Sequence, residues 1–181
     1  MHKINNAPPA IQLKEIRLGI NLIDLLFSRE VLSSSRVSLV GAKLEVTRKA
    51  DGSISIVGLK EGDEQPLWLL HGAQYEVLAS ELTWLDQKTH SKAVKLDAVN
   101  LAIMNDGSQH KINIKTNLPG KYGDHLTVAM NFVGDTFNTT ELNGQIYVEG
   151  KNLSLPALML LNLPVRGVIT SGAGDIKLWS D

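Results

Sequence analysis

The feature that most constrains this chain is a strict alternation of apolar and polar residues, returning along most of its length in short runs. It is plain in Leu44-Glu45-Val46-Thr47, Ser53-Ile54-Ser55-Ile56, Leu82-Thr83-Trp84, Val94-Lys95-Leu96 and Val99-Asn100-Leu101-Ala102-Ile103. It continues in Lys111-Ile112-Asn113-Ile114-Lys115, Leu126-Thr127-Val128-Ala129-Met130-Asn131-Phe132, Gln145-Ile146-Tyr147-Val148-Glu149 and Asp175-Ile176-Lys177-Leu178. A period of two sends successive side chains to opposite sides of an extended backbone, so each run is a strand with one apolar and one wet face. Helical spacing does not produce this pattern.

Turn chemistry separates the runs. Ala50-Asp51-Gly52-Ser53, Asn105-Asp106-Gly107-Ser108, Pro119-Gly120-Lys121-Tyr122-Gly123-Asp124 and Ser171-Gly172-Ala173-Gly174 supply the positive φ angles and tight reversals that hairpins need. With no long helical crossover between runs, the pattern predicts a mainly β fold. Its form is an antiparallel meander, curled into an open groove or a jelly-roll-like sheet. Two or three short helices are expected beside it. Asn21 to Phe27 has a capping Asn, an Asp three residues on and apolar residues at helical spacing. Pro66 to His71 offers a turn or two, and Ser154 to Leu161 has a capping Ser and a first-turn Pro ahead of an apolar run. Each of the three also fits a buried strand or loop.

At 181 residues the chain suits one domain that buries a core without disulfides. Residues 1–10 read as a flexible N-terminal segment and 11–181 as a single domain; the charged stretch Lys60 to Pro66 reads as a surface loop. Formal net charge is −1 with no Lys/Arg block, which argues against nucleic acid as a partner. Cysteine is absent, removing thiol nucleophiles and Cys-based zinc sites together and leaning weakly toward an exported chain. The start, Met1 to Pro9, has no apolar core for a signal peptide, and Asn152 to Val165 is too short and too broken by Pro156 and Pro164 to span a bilayer. If the parent is anchored, the anchor lies elsewhere.

Catalytic and metal chemistry finds little purchase. The five His residues are never paired at i, i+2 or i, i+4. His110 and His125, with Asp124, flank a turn and are the candidates for facing one another across a hairpin. Glu45, Glu76 and Glu149 read as outward strand positions. Ser33-Ser34-Ser35 lacks the glycine-flanked elbow of a hydrolase, and Gly172 to Asp175 opens no helix. The chain is expected not to be an enzyme and to need no cofactor, metal or catalytic residue.

Certain phrases carry a family likeness. Lys14 to Leu26, then Val37-Ser38-Leu39-Val40-Gly41-Ala42-Lys43-Leu44-Glu45-Val46-Thr47-Arg48 with Ala50-Asp51-Gly52, resemble the N-terminal periplasmic region of AsmA-like proteins of the YhdP type. Glu81 to Asp86, Leu96 to Leu101, Asn105 to His110 and Gly144 to Gly150 look like later strands of the same region. The likeness covers most of residues 11–181. It implies a fragment of a longer, inner-membrane-anchored periplasmic protein of a Gram-negative bacterium. In that family an AsmA-like β-groove moves phospholipid between inner and outer membranes and supports the outer-membrane barrier.

On that implication the apolar strand positions are the lipid-binding face: Val46, Ile54, Ile56, Leu82, Trp84, Leu96, Leu101, Ile103, Ile112, Ile114, Leu126, Val128, Met130, Ile146, Val148, Ile176 and Leu178. The implied partners are phospholipid acyl chains and neighbouring β repeats of the parent chain, with a homodimer through open sheet edges as a further expectation. The same alternation also suits the sealed core of a closed β-sandwich serving as an interaction or scaffold module of the envelope. Groove wall and core are written alike in the sequence.

Overall fold

A computed structural model describes residues 12–20, 35–57, 74–90, 92–134, 143–154 and 172–180. Its strands are β1 (Glu15–Ile20), β2 (Ser35–Val40), β3 (Lys43–Arg48), β4 (Ile54–Ile56), β5 (Gln74–Asp86), β6 (Val94–Asp106), β7 (Gln109–Asn117), β8 (His125–Val133), β9 (Asn143–Ser154) and β10 (Ala173–Ser180). They form one ten-stranded sheet in the order β1-β2-β5-β6-β7-β8-β9-β10, with β3 also against β5 and β4 outside it. β1 and β10 stand at opposite ends and do not pair, so the sheet is open. Among the described residues the substantial contacts between strands are all between sheet neighbours, and no second sheet packs on the first.

The expected antiparallel meander is β5 through β10, whose neighbours all pair antiparallel. The Asp-Gly signals fall at the hairpins. Gly107, at φ 57°, turns β6 into β7, and Gly52, at φ 93°, turns β3 into β4, where Asp51 Oδ1 accepts the Ser53 N–H at 2.8 Å. One arrangement departs from the meander: β2 and β3 lie end to end along β5 and parallel to it, Arg36–Val40 against Gln74–Leu78 and Lys43–Arg48 against Glu81–Asp86. Parallel pairing needs a crossover rather than a hairpin. The helices expected over 21–27, 66–71 and 155–161 lie outside the described residues, and Ser154 is the last residue of β9.

A line of local irregularities crosses the sheet. Ala79 in β5, Ala98 in β6 and Asn152 in β9 hold φ of 46°, 51° and 50°, and Gly41, at 62°, parts β2 from β3 at the level of Ala79. The pairing slips by one residue at each strand bulge: Val77 to Ser80 runs against Leu101 to Val99, Ser80 to Leu82 against Val99 to Leu96, and Gly150 to Leu153 against Ile176 to Gly174. A bulge bends its strand and strengthens the local twist. Left-handed backbone at a non-glycine residue costs about 1–2 kcal/mol, and neighbouring polar side chains hold it. Asn100 Oδ1 accepts the Ala79 N–H at 3.1 Å while its Nδ2 donates to Ala98 O at 2.9 Å. Thr116 Oγ1 donates to Asp97 O, and Asp175 Oδ1 accepts the Asn152 N–H at 2.9 Å. Buried Ser80 closes the gap at Gly41: its hydroxyl accepts the Ala42 N–H at 2.9 Å and donates to Leu78 O.

Candidate functional site: an apolar face across the sheet

Residues paired across neighbouring strands project on the same side of a sheet. Following the pairing from strand to strand gives two long rows. One runs Leu18, Val37, Tyr75, Ile103, Ile112, Met130, Ile146. The next runs Ile16, Leu39, Val77, Leu101, Ile114, Val128, Val148, Leu178 and is aliphatic from β1 to β10. Beyond the bulges the same side continues with Leu126 and Ile176 flanking Gly150, with Leu44, Leu82 and Leu96, and with Ile56, Val46, Trp84 and Val94. Ile54 joins it opposite Arg48. Every residue of the expected apolar face is therefore on one side of one sheet. Each extra residue that would flip a strand's pattern is absorbed at a bulge.

This side is also the enclosed one. Ala42, Val46, Val77, Val94, Val99, Ile103 and Leu153 are buried, and all belong to it; so do the buried Ser80, Thr116, His110 and Asp86, whereas Ser38 alone among the buried side chains points the other way. Enclosure falls off toward the ends of the rows, where Ile16, Leu18 and Ile20 on β1 and Ile146 and Leu178 near β10 are exposed, Leu18 to 77%. Gly150 leaves room for Leu153: a Cβ there would run into the Leu153 isobutyl group.

Polar groups bound the face at its two ends. At one, Arg48 and Asp86 pair through two guanidinium nitrogens, Nε to Oδ1 at 3.0 Å and Nη2 to Oδ2. The guanidinium holds the Asp86 carboxyl down at about 2 against its ordinary 3.8, helped by hydrogen bonds from Thr89 and opposed by burial. At the other, buried His110 bonds Asn105 through Nδ1 at 2.8 Å and stacks on Phe132 with ring centroids 5.1 Å apart. The remaining ion pairs between described residues, Glu15–Arg17, Glu81–Lys95, Lys95–Asp97, Glu149–Lys177 and Lys151–Asp175, sit on the opposite side with Glu45 and Glu76.

The expected histidine pair is not brought together. His110 pairs with Phe132 and His125 with Asn117, so the two histidines expected to face across the hairpin lie at its opposite ends and on opposite sides of the sheet. Among the described residues no group of three or more His, Asp or Glu is placed to hold a metal ion.

The YhdP protein family model matches residues 2–181, nearly the whole chain. The chain belongs to the YhdP family. No curated protein matches it, and no solved structure does. Membership supports an AsmA-like protein of the Gram-negative envelope, and the open sheet with one continuous apolar side is this member's architecture.

Several residues of that side in this YhdP-family chain were not among those expected for the lipid-binding face: Ile16 and Leu18 on β1, Val37 and Leu39 on β2, Tyr75 and Val77 on β5, Leu153, and Leu44, Val94 and Val99, whose alternating runs were read but which were not assigned to the face. The signal was present in Ile16-Arg17-Leu18 and Val37-Ser38-Leu39, which alternate like the rest. Only the parallel pairing of β2 with β5 joins them to the rows.

Proposed function

We propose that the aliphatic rows are a contact track for phospholipid acyl chains, and that this chain is a periplasmic segment of a bridge-like protein passing phospholipid between the inner and outer membranes, thereby supporting the outer-membrane barrier. The observation that carries the reading is the row from Ile16 to Leu178, aliphatic at every strand it crosses. At about 4.8 Å per strand the row is roughly 30 Å long. An extended acyl chain covers about half of a bilayer's ~30 Å hydrocarbon core, so the row accommodates one with length to spare. Each methylene withdrawn from water contributes about 0.8 kcal/mol without directional contacts. Repeated aliphatic side chains are then sufficient, and no bond need be made or broken. The open ends at β1 and β10 suit continuation into neighbouring β repeats of the parent. The closed-sandwich alternative has no second sheet among the described residues to support it.

The test is native mass spectrometry of the purified chain from a Gram-negative host, beside uptake of a fluorescent fatty-acid probe. Co-purifying phospholipid and saturable probe uptake are expected. A lipid-free protein that also takes up no probe would overturn the reading.

A further inference from the structure

A shallow cleft of about 330 Å³ near β10 is lined mainly by residues of the side turned away from the aliphatic rows, with Met130, Ile146 and Ser180 of the aliphatic side also lining it. The pairing sets Asn113, Ala129, Tyr147 and Trp179 in one row across β7 to β10, with Lys111 and Asn131 paired in the row beside it. The methyl group of Ala129 is the smallest side chain of its row and forms the floor, between Asn113 and Tyr147. Tyr147 and Trp179 form an aromatic wall, ring centroids 5.3 Å apart and planes at 46°. The Tyr147 hydroxyl donates to Glu149 Oε2 at 2.9 Å, which fixes the phenol edge.

Trp179 is 71% exposed. Tryptophan is among the side chains most buried on average, and an indole left open on an end strand contributes little to folding. What it offers is a flat apolar surface beside groups that both donate and accept hydrogen bonds. Asn113 and Asn131 bring amides to the rim, and Lys111 brings a single cation. A phosphate or carboxylate ligand would call for several cations or a guanidinium fork, and an acyl chain would leave the amides unsatisfied. A pyranose ring fits both demands: one face presents C–H groups that stack on an aromatic ring, and its edge presents hydroxyls that pair with amides. The volume lies at the low end of ligand sites, about 300–1,000 Å³, and so matches one or two sugar units of an oligosaccharide.

We infer that the Tyr147–Trp179 cleft is a glycan-binding site for neutral or N-acetylated hexopyranose units. Its aromatic wall, floor and amides are built from the residues that alternate with those of the proposed lipid track, and it meets that track only at Met130 and Ile146. Titration of the purified chain with tri-N-acetylchitotriose, cellotriose and maltotriose, followed by calorimetry and amide NMR shifts, tests it. Saturable binding of at least one in the millimolar range is expected, with shifts centred on β8 to β10. Trp179→Ala should weaken it by at least about tenfold, equivalent to 1.4 kcal/mol, with an unchanged melting curve. Ala129→Leu, which fills the floor, should do the same by a different route. No saturable binding of any of the three sugars, or binding that survives both substitutions, would overturn the assignment.

Discussion

The side-chain oxygen of Asn100 accepts the backbone N–H of Ala79 at 3.1 Å, while its amide nitrogen donates to Ala98 O. One side chain thus braces two bulges on adjacent strands, both in left-handed backbone. Asn100→Ala removes both bonds. Because the site is exposed and water replaces part of the loss, a cost of about 1 kcal/mol is expected, or about 2–4 °C in melting temperature for a chain of this size. Asn100→Asp keeps the acceptor for Ala79 but loses the donor to Ala98, and should fall between the two. Thermal melts rank the three proteins; equal melts would remove Asn100 from the support of the bulges.

Leu153 is buried and lies over Gly150, where any Cβ would strike it. Gly150→Ala should therefore destabilise by about 1–3 kcal/mol through overpacking, and Leu153→Ala by about 2–5 kcal/mol through the cavity left behind. Combined, the two changes should cost clearly less than their sum, since truncating Leu153 makes the space that the added methyl group needs. A double-mutant cycle in urea reads that coupling, and strict additivity would contradict the contact.

Acid should act through Asp86. Its carboxyl is held down to about 2 by Arg48 in the folded chain against 3.8 ordinarily. The sign follows: stability from the pair is fully present above 3.8 and is lost as pH falls from there toward 2, because the unfolded chain takes up the proton first. Asp86→Asn should flatten the fall in melting temperature across that window and lower the melt at neutral pH. An unchanged slope below pH 4 would show that the pair does not set acid sensitivity.

Much of this architecture was written in period-two runs, and the places where it was not have one physical cause. In β5 the apolar set is Tyr75 and Val77 before Ala79 but Ser80, Leu82 and Trp84 after it, so the phase slips and only Leu82-Thr83-Trp84 reads as a strand. In β6 the slip at Ala98 divides one strand into the separate runs Val94–Leu96 and Val99–Ile103, and in β9 the slip at Asn152 hides Leu153. The runs were legible one at a time; that they share a side became visible only through paired slips on neighbouring strands. The Tyr147–Trp179 cleft was hidden for a related reason, since its row forms only through the β7–β8, β8–β9 and β9–β10 registers together.

The open end at β1 carries a self-association prediction. Among the described strands β1 pairs with β2 alone, and Ile16, Leu18 and Ile20 lie exposed along it. An unpaired, apolar end strand templates pairing with another chain, and lysine is a common guard against it. Concentration-dependent dimers are expected in sedimentation velocity, and Leu18→Lys should shift them to monomer without lowering the melting temperature. A strictly monomeric parent chain would refute this use of the edge.

Val128 and Ala129 are neighbours in sequence and opposites in space. Val128 stands between Ile114 and Val148 in the aliphatic row, and Ala129 between Asn113 and Tyr147 on the polar side. A carboxylate introduced at Val128 meets hydrocarbon on both flanks, where an unpaired polar group costs several kcal/mol if lipid seals it from water. Introduced at Ala129 it meets amides and solvent. Val128→Asp is therefore expected to cut acyl-probe uptake at least about tenfold, a difference of 1.4 kcal/mol, while Ala129→Asp retains uptake and loses sugar binding instead. Melting curves separate this from packing: half-buried Val128 on a track loses function with the fold largely kept, whereas in a sealed core the same change unfolds the chain. If both substitutions impair uptake equally in folded protein, the two sides of the sheet are not functionally distinct and the track reading fails.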